Sequence, residues 1–148
     1  MTANFDLAAS RALLEMTEAG VRRELDADHG EVRDDVAYEG LEGVTQLYNR
    51  DRFAGRVYLR DGRVAIVYVP HGPALSRTSV KQLIRGLHGK RKEMRSRAGK
   101  EFTHVVYAED GIAFSADHDD LQFVEVFRPR SLKDYLAQVY RDPGPFIR

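Results

Sequence analysis

The stretch RVYLRDGRVAIVYV, residues 56–69, decides the predicted fold. Both halves are rich in β-branched and aromatic residues, which favour extended strands. Asp61 and Gly62 lie between them, and this pair accepts the positive φ values of a two-residue type I′ turn. The second half is apolar at successive positions, which indicates a strand buried on both faces. The stretch therefore predicts a β-hairpin whose second strand is central in a sheet.

A similar pattern follows nearer the C-terminus. Residues 103–115, THVVYAEDGIAFS, place two strand-like runs around Asp110 and Gly111 and so predict a second hairpin. Residues 121–127, LQFVEVF, predict a fifth strand after a polar turn at residues 117–120.

Apolar residues at helical spacing predict the remaining elements. The predicted segments are a helix over residues 4–25, a solvated connection over 26–35, a helix over 38–49, a long helix over 79–99 and a last helix from 131. Leu41, Val44 and Leu47 support the second helix, whereas Gly86 and Gly89 indicate a break or a close contact in the third.

Together these elements describe an α+β fold: a single-layer antiparallel sheet of about five strands with two to three helices packed on it. Its core has the order ββαβββα and carries an N-terminal helical extension. We expect one domain over residues 1–148, with the N-terminal helix and acidic connection in 1–37 and the α/β core in 38–148.

The composition excludes several kinds of chemistry. The chain has no cysteine, so it offers no disulfide, zinc–thiolate site, iron–sulfur cluster or thiol nucleophile. Lys plus Arg and Asp plus Glu both number 23, so no field of one sign surrounds the molecule. The sequence shows no signal-peptide pattern and no apolar run of about 20 residues, so we expect a cytosolic protein without a membrane-spanning segment.

The charges are nevertheless segregated along the chain. Residues 26–42 are acidic and residues 77–100 are basic, and each contains a single opposite charge, Arg33 and Glu93 respectively. Such segments pair within one chain, pair between copies, or contact separate partners. The cations expected to bind a partner or nucleic acid are Arg85, Lys90, Arg91, Lys92, Arg95 and Arg97.

Two interpretations of this basic helix compete. In one, its cations neutralise phosphates and give salt-dependent binding of nucleic acid. In the other, it is a solvated face that meets the acidic segment, and zero net charge and the lack of tryptophan favour this second interpretation.

The candidate metal site is a turn of four consecutive polar residues: Asp117, His118, Asp119 and Asp120. Carboxylates and an imidazole can bind a divalent cation, and Glu125 or His104 would complete the site of a metal-dependent hydrolase. The turn lacks calcium-loop spacing, however, and adjacent turn residues point in divergent directions. We therefore predict a polar turn and assign no metal ligand.

No other catalytic or cofactor motif is complete. Ser76, Ser79 and Ser115 lie outside any Gly-x-Ser-x-Gly context, and no glycines are spaced to hold a phosphate or dinucleotide. His71 has no neighbouring carboxylate that would make it an acid or base. We expect no catalytic residue and no cofactor, and we expect a sheet edge or face to be used for binding.

The element order over residues 41–140 resembles that of the profilin-like sandwiches, in particular the Roadblock family. The segments 57–69 and 105–127 carry this resemblance. It implies a non-enzymatic homodimer that scaffolds or regulates small GTPases and motors. The long N-terminal helix, the acidic connection and the strongly basic helix, which would lie near the dimer interface, depart from that family.

We therefore expect a non-enzymatic interaction or regulatory module, a scaffold or adaptor that self-associates and binds a protein partner. One alternative is a nucleic-acid-binding protein that uses residues 77–100. The other is a metal-dependent hydrolase that uses residues 117–120.

Overall fold

The predicted hairpin is present, with Arg56–Arg60 and Arg63–Pro70 paired as antiparallel strands around Asp61 and Gly62. Both turn residues have positive φ, 53° at Asp61 and 77° at Gly62. The second strand also pairs with the last strand of the chain, which confirms its central position. The computed structural model describes residues 5–144, so the predicted helix start at Asn4 and the C-terminal residues 145–148 lie outside it.

The described residues form five α-helices, two short 3-10 helices and eight strands. The helices are α1 (Leu7–Glu15), α2 (Glu18–Glu24), α3 (Pro73–Ser76), α4 (Val80–Ile84) and α5 (Leu132–Gln138), and the 3-10 helices are Ala27–His29 and Ala108–Asp110. The strands are β1 (Glu31–Tyr38), β2 (Leu41–Tyr48), β3 (Arg56–Arg60), β4 (Arg63–Pro70), β5 (Lys92–Arg95), β6 (Thr103–Tyr107), β7 (Ile112–Asp117) and β8 (Asp120–Val126). Within residues 5–144, no helix has the length and apolar character needed to cross a membrane.

All eight strands belong to one antiparallel sheet with the order β1-β2-β3-β4-β8-β7-β6-β5. Each half, β1 to β4 and β5 to β8, is a meander of consecutive neighbours, and the halves join where β4 pairs with β8. The segment that contains α3 and α4 carries the chain from β4 to the far edge. The outer strands of the sheet are therefore β1 and β5.

The predicted α+β class is confirmed, but the predicted size of the sheet is wrong. The structure has eight strands and five α-helices, not about five strands with two to three helices. The predicted connection over residues 26–35 contains most of β1, and the predicted helix over residues 38–49 is β2. The third additional strand, β5, lies within the predicted basic helix.

A β-bulge explains the helical spacing in β2. Gly43 has a φ of 65°, and the pairing of β1 with β2 shifts register on both sides of Val36. The extra residue allows Leu41 and Val44 to contact the same core although they are three positions apart. Leu47 contacts the core on the opposite face. An irregular strand thus produces the spacing that predicts a helix.

The predicted N-terminal helix is divided into α1 and α2. Met16 has an extended backbone, and Thr17 Oγ1 accepts a hydrogen bond from the Gly20 amide at 3.1 Å at the start of α2. Thr17 also forms a β-bridge with Arg63 of β4. Contact with the sheet therefore interrupts a segment whose periodicity is helical throughout.

The prediction of one long basic helix over residues 79–99 is wrong. Ser79 and Gln82 form a capping box, but α4 has only five residues, and Gly86 beyond it has a left-handed φ of 85°. The Gly89 amide donates to Asp110 Oδ2 at 2.7 Å, and a Cβ on Gly89 would lie 2.8 Å from that oxygen. The break and the close contact expected from the two glycines are both present, and they free the following residues to form β5.

The two faces of the sheet have separate cores. Helices α1 to α4 supply apolar residues to one core, and α5 packs on the other through Tyr135, together with Val139 just beyond its end. We call the face that carries α5 the inner face.

The sheet curls strongly around this inner face. Tyr38, the last residue of β1, hydrogen-bonds Glu125 of β8. On a flat sheet those strands would lie about 19 Å apart, four spacings of about 4.8 Å. Just beyond β5, at the other edge, Arg97 Nε lies 3.0 Å from Oε1 of Glu39, which follows β1. The ends of the two outer strands therefore meet over the inner face.

Candidate functional site

The cations predicted to bind a partner do not form one helical face. Those exposed between the end of α4 and the end of β5 are Arg85, Lys90, Arg91, Lys92 and Arg95. Arg95 pairs with Asp142 at 3.3 Å, and Arg91 pairs with Glu93 at 3.7 Å. Arg97 turns inward, with only 27% of its side chain exposed. The structure thus separates Arg97 from the other predicted cations.

The turn between β7 and β8 does not gather its side chains around one point. His118 Nδ1 lies 2.7 Å from Asp117 Oδ1, and the His118 side chain is 96% exposed. Asp119 instead accepts the Lys81 amide at 3.2 Å, which supports the start of α4, and Asp120 begins β8. Within the described part of the chain, no group of three or more His, Cys, Asp or Glu could hold a metal ion.

A buried carboxylate lies on the inner face instead. Glu125 of β8 has no exposed surface and stands opposite Tyr68 of β4 and Ala113 of β7. Its neighbours Val124 and Val126 point into the core on the other face, as strand alternation requires. A carboxylate in such a place stays ionised only with hydrogen bonds and a counter-ion.

Glu125 has both kinds of partner. Tyr135 of α5 donates its hydroxyl to Oε1 at 2.6 Å, Tyr38 donates to Oε2, and Arg97 Nη1 lies 3.2 Å from Oε2. Burial raises the pKa of Glu125, but attraction to Arg97 and the hydrogen bonds from Tyr135 and Tyr38 oppose this effect, and the pKa lies below its ordinary value. Because burial keeps His104 neutral, we assign Arg97 as the counter-ion.

Arg97 is held from several sides. Its guanidinium carbon lies 4.2 Å from the ring centre of Phe123, 5.0 Å from that of Tyr38 and 5.7 Å from that of Tyr68. Nη2 donates to the Tyr38 hydroxyl at 2.7 Å. Burial lowers the pKa of Arg97, but its tyrosine and carboxylate partners raise the pKa above its ordinary value, so the guanidinium is charged. We call the surrounding residues the arginine cage: Tyr38, Tyr68, Phe123, Glu39 and Glu125.

His104 of β6 links Glu125 to two serines. Tyr135 gives its only hydroxyl proton to Glu125, so it accepts a hydrogen bond from His104 Nε2, 2.7 Å away. His104 Nδ1 then accepts from Ser115 Oγ at 3.0 Å, and Ser115 accepts from Ser96 Oγ at 2.7 Å. This order assigns the neutral Nε2–H tautomer, in agreement with burial that lowers the pKa of His104.

Serine, histidine and glutamate are residue types found in hydrolases, but here they have no access to substrate. Ser115 and Glu125 have no exposed surface, and His104 is 2% exposed. A nucleophile and its base must both reach the substrate. A surface cavity of about 590 Å³ lies beside Leu7 and Arg85, and its lining includes none of the buried cluster. The cluster therefore connects strands to α5 and does not form an open reaction centre.

Two members of this cluster, Glu125 and His104, are predicted from the sequence to lie beside the turn at residues 117–120. In the structure they lie beside each other instead, with His104 Nε2 3.6 Å from Glu125 Oε1. The sequence pattern does not identify Tyr38 and Tyr135. The available signal is Glu125 itself, the only acid in the apolar strand LQFVEVF, but its partner Tyr38 lies 87 residues away.

The buried imidazole predicts a loss of stability in mild acid. The folded chain binds a proton at His104 less readily than the unfolded chain, whose ordinary pKa is 6.5. The free energy of unfolding should therefore fall as the pH drops below 6.5, with a limiting slope of about 1.4 kcal/mol per pH unit. Urea unfolding at a series of pH values should show this slope in the wild type and a smaller slope in His104→Gln.

His29, whose pKa is shifted in the opposite direction, is the control. The hydrogen bond to Asp26 raises the pKa of the exposed His29, so His29 adds stability at low pH and loses that contribution as the pH rises. Replacing His29 by Ala should make the acid destabilisation steeper. Equal slopes for wild type and His104→Gln would contradict the neutral state assigned to His104 in the folded chain.

The outer strands carry charges of opposite sign. β1 exposes Glu31, Asp34 and Asp35, whereas Lys92 of β5 is exposed together with the preceding Lys90. Among the described residues, no further strand pairs with the outer side of either strand, although Tyr140 donates its hydroxyl to the Arg95 carbonyl at the end of β5. We call residues 31–35 the acidic edge and residues 90–95 the basic edge.

Comparison of the chain with protein-family models, with curated proteins and with solved structures gave no match. The resemblance to the Roadblock family stays a prediction.

Proposed function

We propose that the chain is a non-enzymatic interaction module of the cytosol that self-associates by joining its basic edge to the acidic edge of a second copy. The observation that supports this proposal is the opposite charge of the two outer strands of one sheet. Free amide and carbonyl groups on an outer strand are a template for a further strand.

The strand directions suit this pairing. Neighbouring strands alternate in direction across all eight positions, so β1 and β5 run in opposite directions. A second copy placed beside the first in the same orientation therefore brings its β5 antiparallel to β1. Because unlike edges meet, association is head to tail and either continues to further copies or closes into a ring.

Charge selects which edges meet. Two acidic or two basic edges repel, and charges on outer strands ordinarily prevent indiscriminate pairing. An acidic edge opposite a basic edge is instead attracted, which also increases the rate of encounter. Asp35, with a φ of 52°, lies in the irregular part of β1, so regular pairing is confined to residues 31–33. We therefore expect weak, salt-dependent association.

Reversing the charge of either edge should abolish self-association, and mixing the two charge-reversed variants should restore it. Lys90→Glu with Lys92→Glu makes both edges acidic, whereas Glu31→Lys with Asp34→Lys makes both basic. Each variant lacks a complementary edge but supplies the edge that the other needs. Sedimentation velocity at low ionic strength should show larger species for the wild type and the equimolar mixture, and monomers for each variant alone.

Salt and a matched charge change provide the controls. Association should be lost at about 1 M salt, where the Debye length is about 3 Å. Arg60→Glu with Lys133→Glu changes the net charge equally at two exposed residues away from the edges and should leave association unchanged. A wild-type chain that stays monomeric at low salt and high concentration would contradict the proposal.

Nucleic acid is the other candidate partner of the basic edge. The exposed cations between α4 and the end of β5 favour it. Nucleic-acid binding would replace self-association if the wild type is monomeric and retains DNA or RNA in a salt-dependent way. Lys90→Glu with Lys92→Glu should then abolish that retention.

The metal-dependent hydrolase would be favoured by a divalent ion that raises the Tm, provided that Asp117→Asn abolishes the effect.

A further inference from the structure

The arginine cage engages every nitrogen of the guanidinium that it holds. Arg97 Nε lies 3.0 Å from Glu39 Oε1, Nη1 lies 3.2 Å from Glu125 Oε2, and Nη2 lies 2.7 Å from the Tyr38 hydroxyl. These acceptors surround a flat, forked cation, and Phe123 is close enough to contact it through its ring. Each acceptor faces a different nitrogen of the planar fork, so the arrangement matches a guanidinium.

The walls of the cage and its occupant come from different parts of the fold. Tyr38, Tyr68 and Phe123 belong to β1, β4 and β8, and their rings contact one another in series, with centres 6.0 Å apart for the first pair and 5.6 Å apart for the second. Arg97 belongs to the segment between β5 and β6. The preceding residue, Ser96, is fully buried and hydrogen-bonded, so the backbone beside Arg97 is anchored independently of the cage.

The cage also opens to solvent and is negatively charged without its occupant. Glu39 and Arg97 have 20% and 27% of their side chains exposed, which marks the side from which a ligand would enter. Glu39 and Glu125 supply two carboxylates against the single guanidinium, while His104 is neutral. Arg141 is the other cation acting on Glu39. Removal of Arg97 would leave a cavity with aromatic walls and acceptors that favour a cation.

We propose that the arginine cage is a guanidinium-binding site which Arg97 occupies in the isolated chain and which takes an arginine side chain of a partner protein when Arg97 is displaced. The site is independent of edge-to-edge association, because the edge residues Glu31, Asp34, Lys90 and Lys92 do not line it. Arg97 competes with any external arginine, so the wild type binds such a ligand more weakly than a chain that lacks Arg97.

Methylguanidinium tests whether the emptied cage binds its cation. In Arg97→Ala, it should raise the Tm by about 3–5 °C at a concentration about tenfold above its Kd. Methylurea, which is neutral and similar in shape, should have no effect. Arg130→Ala is the matched variant, because Arg130 lies over one ring, 5.4 Å from Phe127, and its side chain donates to an amide and a backbone carbonyl.

The result that would overturn the proposal is an equal Tm shift in Arg97→Ala and Arg130→Ala, or no shift in either variant. If Arg97→Ala is unfolded alone, methylguanidinium must restore its folded far-UV circular dichroism signal and methylurea must not. Failure to restore that signal also overturns the proposal.

A second experiment tests displacement of Arg97 in the wild type. N-acetylarginine amide should produce a saturable change in the Arg97 Nε–H NMR signal, with a Kd at least about tenfold higher than for Arg97→Ala. N-acetylcitrulline amide, which replaces the guanidinium by a neutral urea, should produce no change. If the wild type shows no saturable change at about a hundredfold the Kd of Arg97→Ala, Arg97 is a permanent structural contact and the proposal fails.

Discussion

Arg97→Met should lower the free energy of unfolding by about 3–5 kcal/mol at neutral pH, because it leaves Glu125 ionised and buried without a counter-ion. Glu125 has no exposed surface, and its remaining hydrogen bonds come from the neutral hydroxyls of Tyr38 and Tyr135. Methionine keeps much of the arginine stem, so lost packing contributes less than the lost charge. Urea unfolding of the two chains at pH 7 measures the difference.

Two comparisons separate the lost charge from other effects. Glu125→Gln added to Arg97→Met should recover part of the loss, because it removes the unpaired charge. Arg95→Met removes an exposed arginine paired with Asp142 and should cost less than about 1 kcal/mol. A loss in Arg97→Met no larger than that in Arg95→Met would show that Arg97 is not the counter-ion.

Acid should reduce the difference between the wild type and Arg97→Met. In the wild type, Glu125 contributes stability above its ordinary pKa of 4.5 and loses that contribution as the pH falls through its lower folded value. Without Arg97, burial favours the protonated carboxyl, so the variant gains from protonation that the wild type resists. The two curves of stability against pH should therefore converge in acid.

Gly111→Ala should destabilise the fold by about 3 kcal/mol or more, whereas Gly62→Ala should cost about 1 kcal/mol. Both glycines follow an aspartate in a hairpin turn and have similar φ, 70° and 77°. A Cβ on Gly111 would lie 2.2 Å from the Phe127 carbonyl oxygen, whereas a Cβ on Gly62 has no neighbour within 4 Å. The first substitution therefore adds a backbone clash to the conformational cost that both share.

Urea unfolding of the two glycine variants under one set of conditions tests this difference. The Phe127 amide donates to the Gly111 carbonyl at 2.9 Å, so the clash cannot be relieved without moving the end of β8. If the two variants lose a similar free energy of unfolding, the chain near Phe127 adjusts freely and the predicted clash is absent.

Local signals predicted the parts of the fold that depend on neighbouring residues. The hairpin around Asp61 and Gly62 needs only two strand-forming runs and a turn pair, and the helix N-caps need residues three positions apart. Ser79 accepts the Gln82 amide and Ser131 accepts the Asp134 amide, at the two positions where helices are predicted to begin. Such features are visible in a short window of sequence.

The predictions of secondary structure are wrong where contacts between distant residues outweigh the local sequence pattern. Gly43 shifts the register of β2, so Leu41 and Val44 imitate a helix. The Asp110 carboxylate holds the His88 and Gly89 amides and ends a segment that is otherwise rich in helix formers. Neither effect is visible without knowing which strands are adjacent.

The candidate site was beyond local prediction for the same reason. Arg97 is one of nine cations in residues 77–100 and has no local feature that sets it apart. Its partners Tyr38 and Glu125 are 59 and 28 residues away, and they become neighbours only when the sheet curls. A lone acid in an apolar strand indicates that a buried partner exists, but it does not identify that partner.

The junction between β4 and β8 has a consequence for synthesis on the ribosome. β4 is apolar on both faces, and the strand that completes its pairing ends 56 residues after it, at Val126. At about 5–20 residues per second, the ribosome needs about 3–11 s to make that stretch. During this interval the first meander has an unsatisfied hydrogen-bonding edge beside its most hydrophobic strand. The nascent chain is therefore most exposed to misassembly, and most in need of a chaperone, before its last strand emerges.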